Sequence, residues 1–110
     1  MAIQFLDYLM VHFMCDRQPV IYIMANKYHG TIYTGVTSDL IQRVYQHKQA
    51  KIIGFTNRYH CHYLVYYELF DDIVSAIERE KQIKAGSRKN KIQLIEKMNP
   101  TWLDLYLSLT

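Results

Sequence analysis

The sequence predicts one small α+β (α/β) domain: a three-stranded antiparallel or mixed sheet in β-β-α-β-α-α order, with helices flanking the sheet. Three observations lead there. Two β-branched and aromatic runs, Val20–Met24 and Thr31–Val36, are joined by a polar loop closed by glycine, which is a hairpin pattern. The apolar period then changes from two to 3.6 residues, directly after a cluster of helix-capping side chains. A chain of 110 residues has room for a single core.

Taken in order, residues 1–19 read as an N-terminal extension, and residues 20–110 hold the domain. Phe5, Leu6, Leu9, Met10 and Phe13 fall at helical spacing, so a short amphipathic helix is expected there, set apart by Pro19. Met14 is an equally good start for the domain. The loop Asn26–Gly30 links the first two strands. Thr37-Ser38-Asp39 then caps a helix from about Asp39 to Gln49, with Leu40, Ile41, Val44 and His47 repeating at helical spacing. A basic, glycine-containing loop (Lys51–His60) precedes a third strand, His62–Glu68. Asp71-Asp72 start a helix to Lys84 with Ile73, Ala76, Ile77 and Ile83 on its apolar face. Gly86-Ser87 break it, and Ser87 caps another helix through Lys97, with Ile92, Leu94 and Ile95 inward. Asn99-Pro100-Thr101 ends that helix, and Trp102–Leu109 is expected to lay a last short helix on the core. Only the hairpin strands can be neighbours through a short loop; the third strand arrives by a helical crossover.

Charge is more informative in its placement than in its net value of +3. Lys81, Lys84, Arg88, Lys89 and Lys91 follow one another with no acid between them, and Arg43, Lys48, Lys51 and Arg58 form a thinner cluster. Such grouping fits a phosphate-binding face, and equally a solvated helix surface. Cys15 and Cys61 have no zinc-ligand spacing and read as free thiols of a reducing compartment. No apolar stretch reaches membrane-spanning length and no secretory signal is present, so a cytoplasmic protein without a membrane partner is expected. Tyr59-His60-Cys61-His62 is too tightly spaced for a metal site; alternation along a strand would part Cys61 from both histidines.

Several motifs recur in a fixed order. Val20-Ile21-Tyr22 and Tyr33-Thr34-Gly35 lie on the two hairpin strands, followed by Asp39-Leu40-x-x-Arg43-x-x-x-His47. Phe55-Thr56-x-x-Tyr59 and Leu64-Val65-Tyr66-Tyr67-Glu68 come next, then Ala76–Lys84 around Glu80, then Asn99-Pro100-x-Trp102-x-Asp104-Leu105. This set resembles the GIY-YIG nuclease superfamily over about residues 20–106, and in particular its small stand-alone bacterial members. Val stands for Gly in the first triplet and Thr for Ile in the second; both tyrosines and Gly35 are kept.

The resemblance implies an endonuclease that hydrolyses DNA phosphodiester bonds with low sequence specificity, in repair or recombination, using Mg²⁺ or Mn²⁺ held by Glu80. One carboxylate is enough for Mg²⁺, which keeps several of its waters; taken alone, Glu80 would read as an exposed helix residue paired with Lys84. Arg43 and His47, four apart, share a helix face. The guanidinium would clamp the scissile phosphate, and the histidine would orient water or a tyrosine, or donate to a phosphate oxygen. By resemblance one of Tyr22 and Tyr33 is the general base, with Tyr22 favoured, and a neighbouring metal, His47 or Arg43 should lower its pKa. Alone, both tyrosines could simply cover the core. Gly35 would allow close approach of backbone or substrate, and Lys84, Arg88, Lys89 and Lys91 would contact DNA phosphates. Asn99 resembles a family asparagine near the site and reads equally as a helix stop. The competing functions are a catalytically inactive nucleic-acid-binding module and a protein-interaction module. A homodimer or a partner protein would then supply specificity.

Overall fold

The computed structural model describes residues 18–50, 54 and 58–109. The amphipathic segment expected within residues 1–19, Cys15, and the Phe55-Thr56 part of the loop motif lie outside the described residues, apart from Gln18 and Pro19. The strands are β1 (Val20–Ala25), β2 (Ile32–Thr37) and β3 (Tyr63–Leu69). The helices are α1 (Leu40–Lys48), α2 (Ile73–Ala85), α3 (Arg88–Met98) and the short α4 (Tyr106–Leu109).

β1 is the middle strand of a sheet ordered β2-β1-β3, antiparallel at both pairings. All six of its residues are buried, because helices and tail cover both sheet faces; this is why its sequence is almost continuously apolar rather than alternating. Alternation still decides which face each side chain serves. Ile21, Ile23 and Ala25 pack with Val65, Tyr66, Ala76, Ile83, Ile95 and Trp102 beneath α2 and α3. Val20, Tyr22 and Met24 pack on the opposite face with Leu40, Val44, Cys61 and Leu64. Each large aliphatic side chain buried this way contributes about 1.5–3 kcal/mol.

The pairing of β1 with β3 slips by one residue. Ile23 faces Tyr66 while Met24 faces Leu64, so Val65 is the extra residue of a β-bulge. The bulge turns both Val65 and Tyr66 towards α2 and α3 and leaves Leu64 on the other face.

The helix starts follow from the local sequence. Asp39, Asp72 and Ser87 each accept a hydrogen bond from the backbone N–H three residues on, at 3.2, 2.8 and 3.1 Å, satisfying donors that the first turn leaves open. Leu40, Val44 and His47 form the inward row of α1. Ala76 and Ile83 are buried on α2, whereas Ile73, expected inside, is 43% exposed at its first turn.

The tail after α3 is fastened by polar contacts. Asp104 pairs with Lys48 and accepts from the Leu64 and Tyr106 backbone N–H groups. Leu105 N–H donates to Leu64 O at 2.8 Å, which covers part of the outer edge of β3.

Candidate active site

Tyr22 occupies the middle of β1, directly opposite Gly35 on β2. Its ring lies across the neighbouring strand at that glycine. A Cβ at position 35 would stand 2.6 Å from both Tyr22 Cζ and Oη, a separation atoms do not tolerate. Gly35 is therefore the gap through which the phenol reaches the β2 side of the sheet.

His47 comes from the inward row of α1 and is buried with it. Its Nε2 and the Tyr22 hydroxyl share a hydrogen bond of 3.0 Å. Tyr33, two residues before Gly35 and on the same sheet face, closes the cluster. Ring centroids lie 5.6 Å apart for Tyr22–His47 and for Tyr33–His47, and 6.3 Å for Tyr22–Tyr33.

Burial dominates the electrostatics here. It holds the Tyr22 phenol well above the usual tyrosine range, and the neighbouring Tyr33 and Glu80 charges push the same way; the Arg43 guanidinium beside it pulls down and is outweighed. Arg43 thus lowers this pKa as expected, but the expected net lowering is corrected: the cost of burying a phenolate is larger. His47 is pushed down to about 4, first by burial and then by the positive charges of Arg43 and His62. At neutral pH the pair is a neutral phenol hydrogen-bonded to a neutral imidazole.

Glu80 comes from α2, on the row that runs Ala76, Glu80, Ile83 and faces the sheet. Its side chain is only 15% exposed, with Lys84 Nζ 3.4 Å from its carboxylate. The pairing with Lys84 is the one expected of an ordinary helix glutamate, whereas the low exposure is not. Ala76 and Ile83 at helical spacing on either side were the sequence signal for it. Tyr22, Tyr33, Arg43, His47 and Glu80, separated by as many as 58 positions in the chain, are thus gathered around one phenol.

The remaining predicted residues divide. Lys84 and Lys91 line a cleft with Tyr33 beside the site, and Lys89 is exposed on α3. Arg88 instead donates to the His29 and Gly30 carbonyls at 2.8 Å each, tying α3 to the β1–β2 loop. Asn99 is a correction. It is the C-cap of α3, 4% exposed; its amide donates to Val65 O and Leu103 O, and its carbonyl accepts from Leu103 N–H. A side chain so committed presents nothing to DNA. Lys48, counted in the basic cluster, is engaged by Asp104 and by His62 O at 2.8 Å.

Sequence reasoning missed a staple built from His29, Glu96 and Trp102. Glu96 Oε2 lies 2.6 Å from His29 Nε2 and accepts from the Trp102 indole N–H at 2.9 Å. It also missed the contribution of His62 to the field at His47. Neither pairing leaves a local signal, since each joins distant segments. Around His60, Cys61 and His62 the Cys61 thiol donates inward to Thr31 O at 3.6 Å. Among the described residues no three His, Cys, Asp or Glu side chains gather as a metal cage, and no helix is long and apolar enough to cross a membrane.

Comparison with known proteins gives a consistent result. The family model of the GIY-YIG catalytic domain matches residues 18–93. A UPF0213 protein of Staphylococcus saprophyticus is 37% identical over 75 residues, covering 68% of this chain and 90% of that protein. A UPF0213 protein of Staphylococcus aureus is 33% identical over 67 residues, covering 61% and 82% respectively. The solution structure of a UPF0213 protein from Bacillus halodurans superposes with a TM-score of 0.51 at 26% identity, covering 79% of this chain and 92% of that one. The family model spans the hairpin, α1, β3, α2 and the start of α3, and so takes in all five gathered side chains: this chain belongs to the GIY-YIG family, a nuclease superfamily.

Proposed function

We propose that this protein is a divalent-metal-dependent endonuclease that hydrolyses DNA phosphodiester bonds, with residues 20–110 as its catalytic domain. The observation that carries the reading is the buried Tyr22–His47 hydrogen bond, with Arg43 and Glu80 set around the same phenol.

GIY-YIG nucleases generally depend on a divalent metal, and the donor set suits a hard one. Glu80 offers a shielded carboxylate beside phenol oxygens, with no three-residue cage among the described residues; this matches a cation that retains most of its waters, Mg²⁺ or Mn²⁺. When bound, the cation neutralises charge on the phosphate and on the departing alkoxide. Arg43 grips the non-bridging oxygens of the scissile phosphate and stabilises the charge they gain.

The Tyr22 oxygen accepts a proton from the attacking water while its own proton passes to His47 Nε2. Tyr22 thus acts as general base without a standing phenolate, which its burial disfavours. The imidazolium so formed is stabilised by negative charge growing on the phosphate, and it returns its proton to solvent after the P–O bond breaks. Tyr33 packs on the imidazole and offers its hydroxyl to a phosphate oxygen. Lys84, Lys89 and Lys91 contact flanking phosphates, which hold the DNA without reading it.

The test is incubation of plasmid, branched and single-stranded DNA with Mg²⁺ or Mn²⁺, comparing the native protein with Glu80→Ala. Metal-dependent cleavage lost in the variant is expected. Binding without cleavage by the native protein would favour an inactive nucleic-acid-binding module, and absence of binding a protein-interaction module.

A further inference from the structure

Two clefts flank the Tyr22–His47 site, and their linings differ. One, of 300 Å³, is walled by Ile32, Tyr33, Thr34, Lys84 and Lys91. Its lining holds two ammonium groups and no acid, with Lys84 beside the Glu80 carboxylate and Lys91 donating to Lys84 O at 3.3 Å. The other, of 430 Å³, is walled by Thr37, Ser38, Asp39, Gln42, Arg43 and Gln46. Its Thr37 hydroxyl is engaged with the Asp39 backbone and its Asp39 carboxylate caps α1, so what it offers is the two carboxamides of Gln42 and Gln46 and a single guanidinium, which also acts on Tyr22. β2 runs from one cleft to the other, six residues or about 20 Å.

The helix geometry of α1 accounts for the second lining. Residues 43 and 47 form the row turned to the phenol; residues 42 and 46 form the adjoining row, one step round the helix. The side chains that handle chemistry and those that line the cleft are therefore neighbours on one rigid element, and Arg43 belongs to both.

A phosphodiester suits the first cleft and not the second. In the second, the Asp39 carboxylate repels an anion, and Arg43 is already turned towards the scissile group. A nucleobase edge is neutral and carries donors and acceptors side by side, which the Gln42 and Gln46 carboxamides can match. We infer that the Gln42/Gln46 cleft receives an unpaired nucleobase next to the bond being cut, while the lysine cleft holds the backbone on the other side. This rests on the nuclease reading and names its substrate class: DNA with an unpaired or extruded nucleotide at the cleavage point. A carboxamide presents the donor–acceptor pair that adenine complements through N7 and N6, so adenine is the preferred occupant. A base still stacked and paired would not enter a side cleft of this kind.

The experiment uses duplexes carrying one unpaired nucleotide beside the cleavage point, made with each of the four bases or with an abasic residue. Single-turnover cleavage is measured with the native protein, and binding by fluorescence anisotropy with Glu80→Ala. Adenine should be favoured over the abasic residue by roughly tenfold in both readouts. The double variant Gln42→Ala/Gln46→Ala should bring that ratio close to one at an unchanged melting temperature. The single, near-isosteric Gln46→Glu, which exchanges a donor for an acceptor, should move the preference towards cytosine. Lys84→Ala/Lys91→Ala should weaken all five substrates alike and flatten the salt dependence. A base-to-abasic ratio near one in the native protein, or a ratio unmoved by Gln46→Glu, overturns the inference. Absence of cleavage on every substrate overturns the nuclease reading instead, and the binding arm still reports on the cleft.

Discussion

The two faces of the sheet are built from the same strand and do different work. From β1, Ile21, Ile23 and Ala25 enter an apolar layer beneath α2 and α3, where the partners are other aliphatic and aromatic groups. Val20, Tyr22 and Met24 enter the opposite layer, where one phenol and one imidazole are enclosed with the aliphatics. Burial on the first face raises the Tyr66 phenol, which donates to Glu68, to about 12, and so leaves it protonated at neutral pH as any tyrosine is. On the second the same burial also reaches a group that ordinarily titrates near neutrality: it holds His47 uncharged beside a protonated Tyr22. Residue alternation thus separates a layer that resists unfolding from one that holds polarity at a cost, and substitutions should sort by face.

The largest separation is expected in rate. Glu80→Ala should lower single-turnover cleavage by about 10³-fold, equivalent to about 4 kcal/mol of transition-state stabilisation, with little change in thermal stability. Ile23→Ala should do the reverse, costing about 2–5 kcal/mol in urea denaturation while the folded fraction keeps its rate. An equal effect of both substitutions on both quantities would erase the distinction between the faces.

The protonation difference predicts a pH effect that belongs to the Tyr22 face. His47 has a folded pKa near 4, below the ordinary value of 6.5. The unfolded chain therefore takes up a proton as pH falls through 6.5, whereas the folded one does not until about 4. Stability is fully present above 6.5 and is lost between there and 4, by up to about 3 kcal/mol. Denaturation at pH 7 and at pH 4.5 measures this, and His47→Gln should flatten the dependence. His62, also held low by burial, adds in the same direction.

Smaller again is the effect of filling the gap beneath the phenol. Gly35→Ala places a methyl where Tyr22 Cζ and Oη lie, so the ring must move or the strands must part. A loss of about 1–3 kcal/mol in stability is expected, with cleavage reduced by more than the stability loss alone explains. The smallest effect is Arg88→Ala. Its two hydrogen bonds to the β1–β2 loop are surface contacts, and about 1 kcal/mol should be lost with no change in rate on any substrate.

Those effects also mark how much of the molecule was legible in the chain. The hairpin and the three capped helices were legible because each depends on residues within a turn or two: Asp39, Asp72 and Ser87 cap the helices that begin directly after them. The inward position of Glu80 was legible in principle, since Ala76 and Ile83 fix the row it shares. The contact between Tyr22 and Gly35 was not, because it exists only in one strand register. Asn99 read equally as a site residue and as a helix stop because motif position says nothing about rotamer; it is the helix stop, and its amide turns inward to the bulge at Val65. Arg88 and Lys48 look like free cations in sequence, yet each is claimed by groups from distant segments. Long-range pairing is the part that local pattern cannot supply.

Coupling between Tyr22 and His47 tests the account most directly. Single-turnover cleavage rates should be compared for the native protein, Tyr22→Phe, His47→Ala and the double variant, all in saturating Mg²⁺. If the pair moves one proton as a unit, each single variant should lose about 10²–10³-fold and the double variant hardly more than either. Losses that multiply in the double variant would mean that the two side chains act separately, and would contradict the relay.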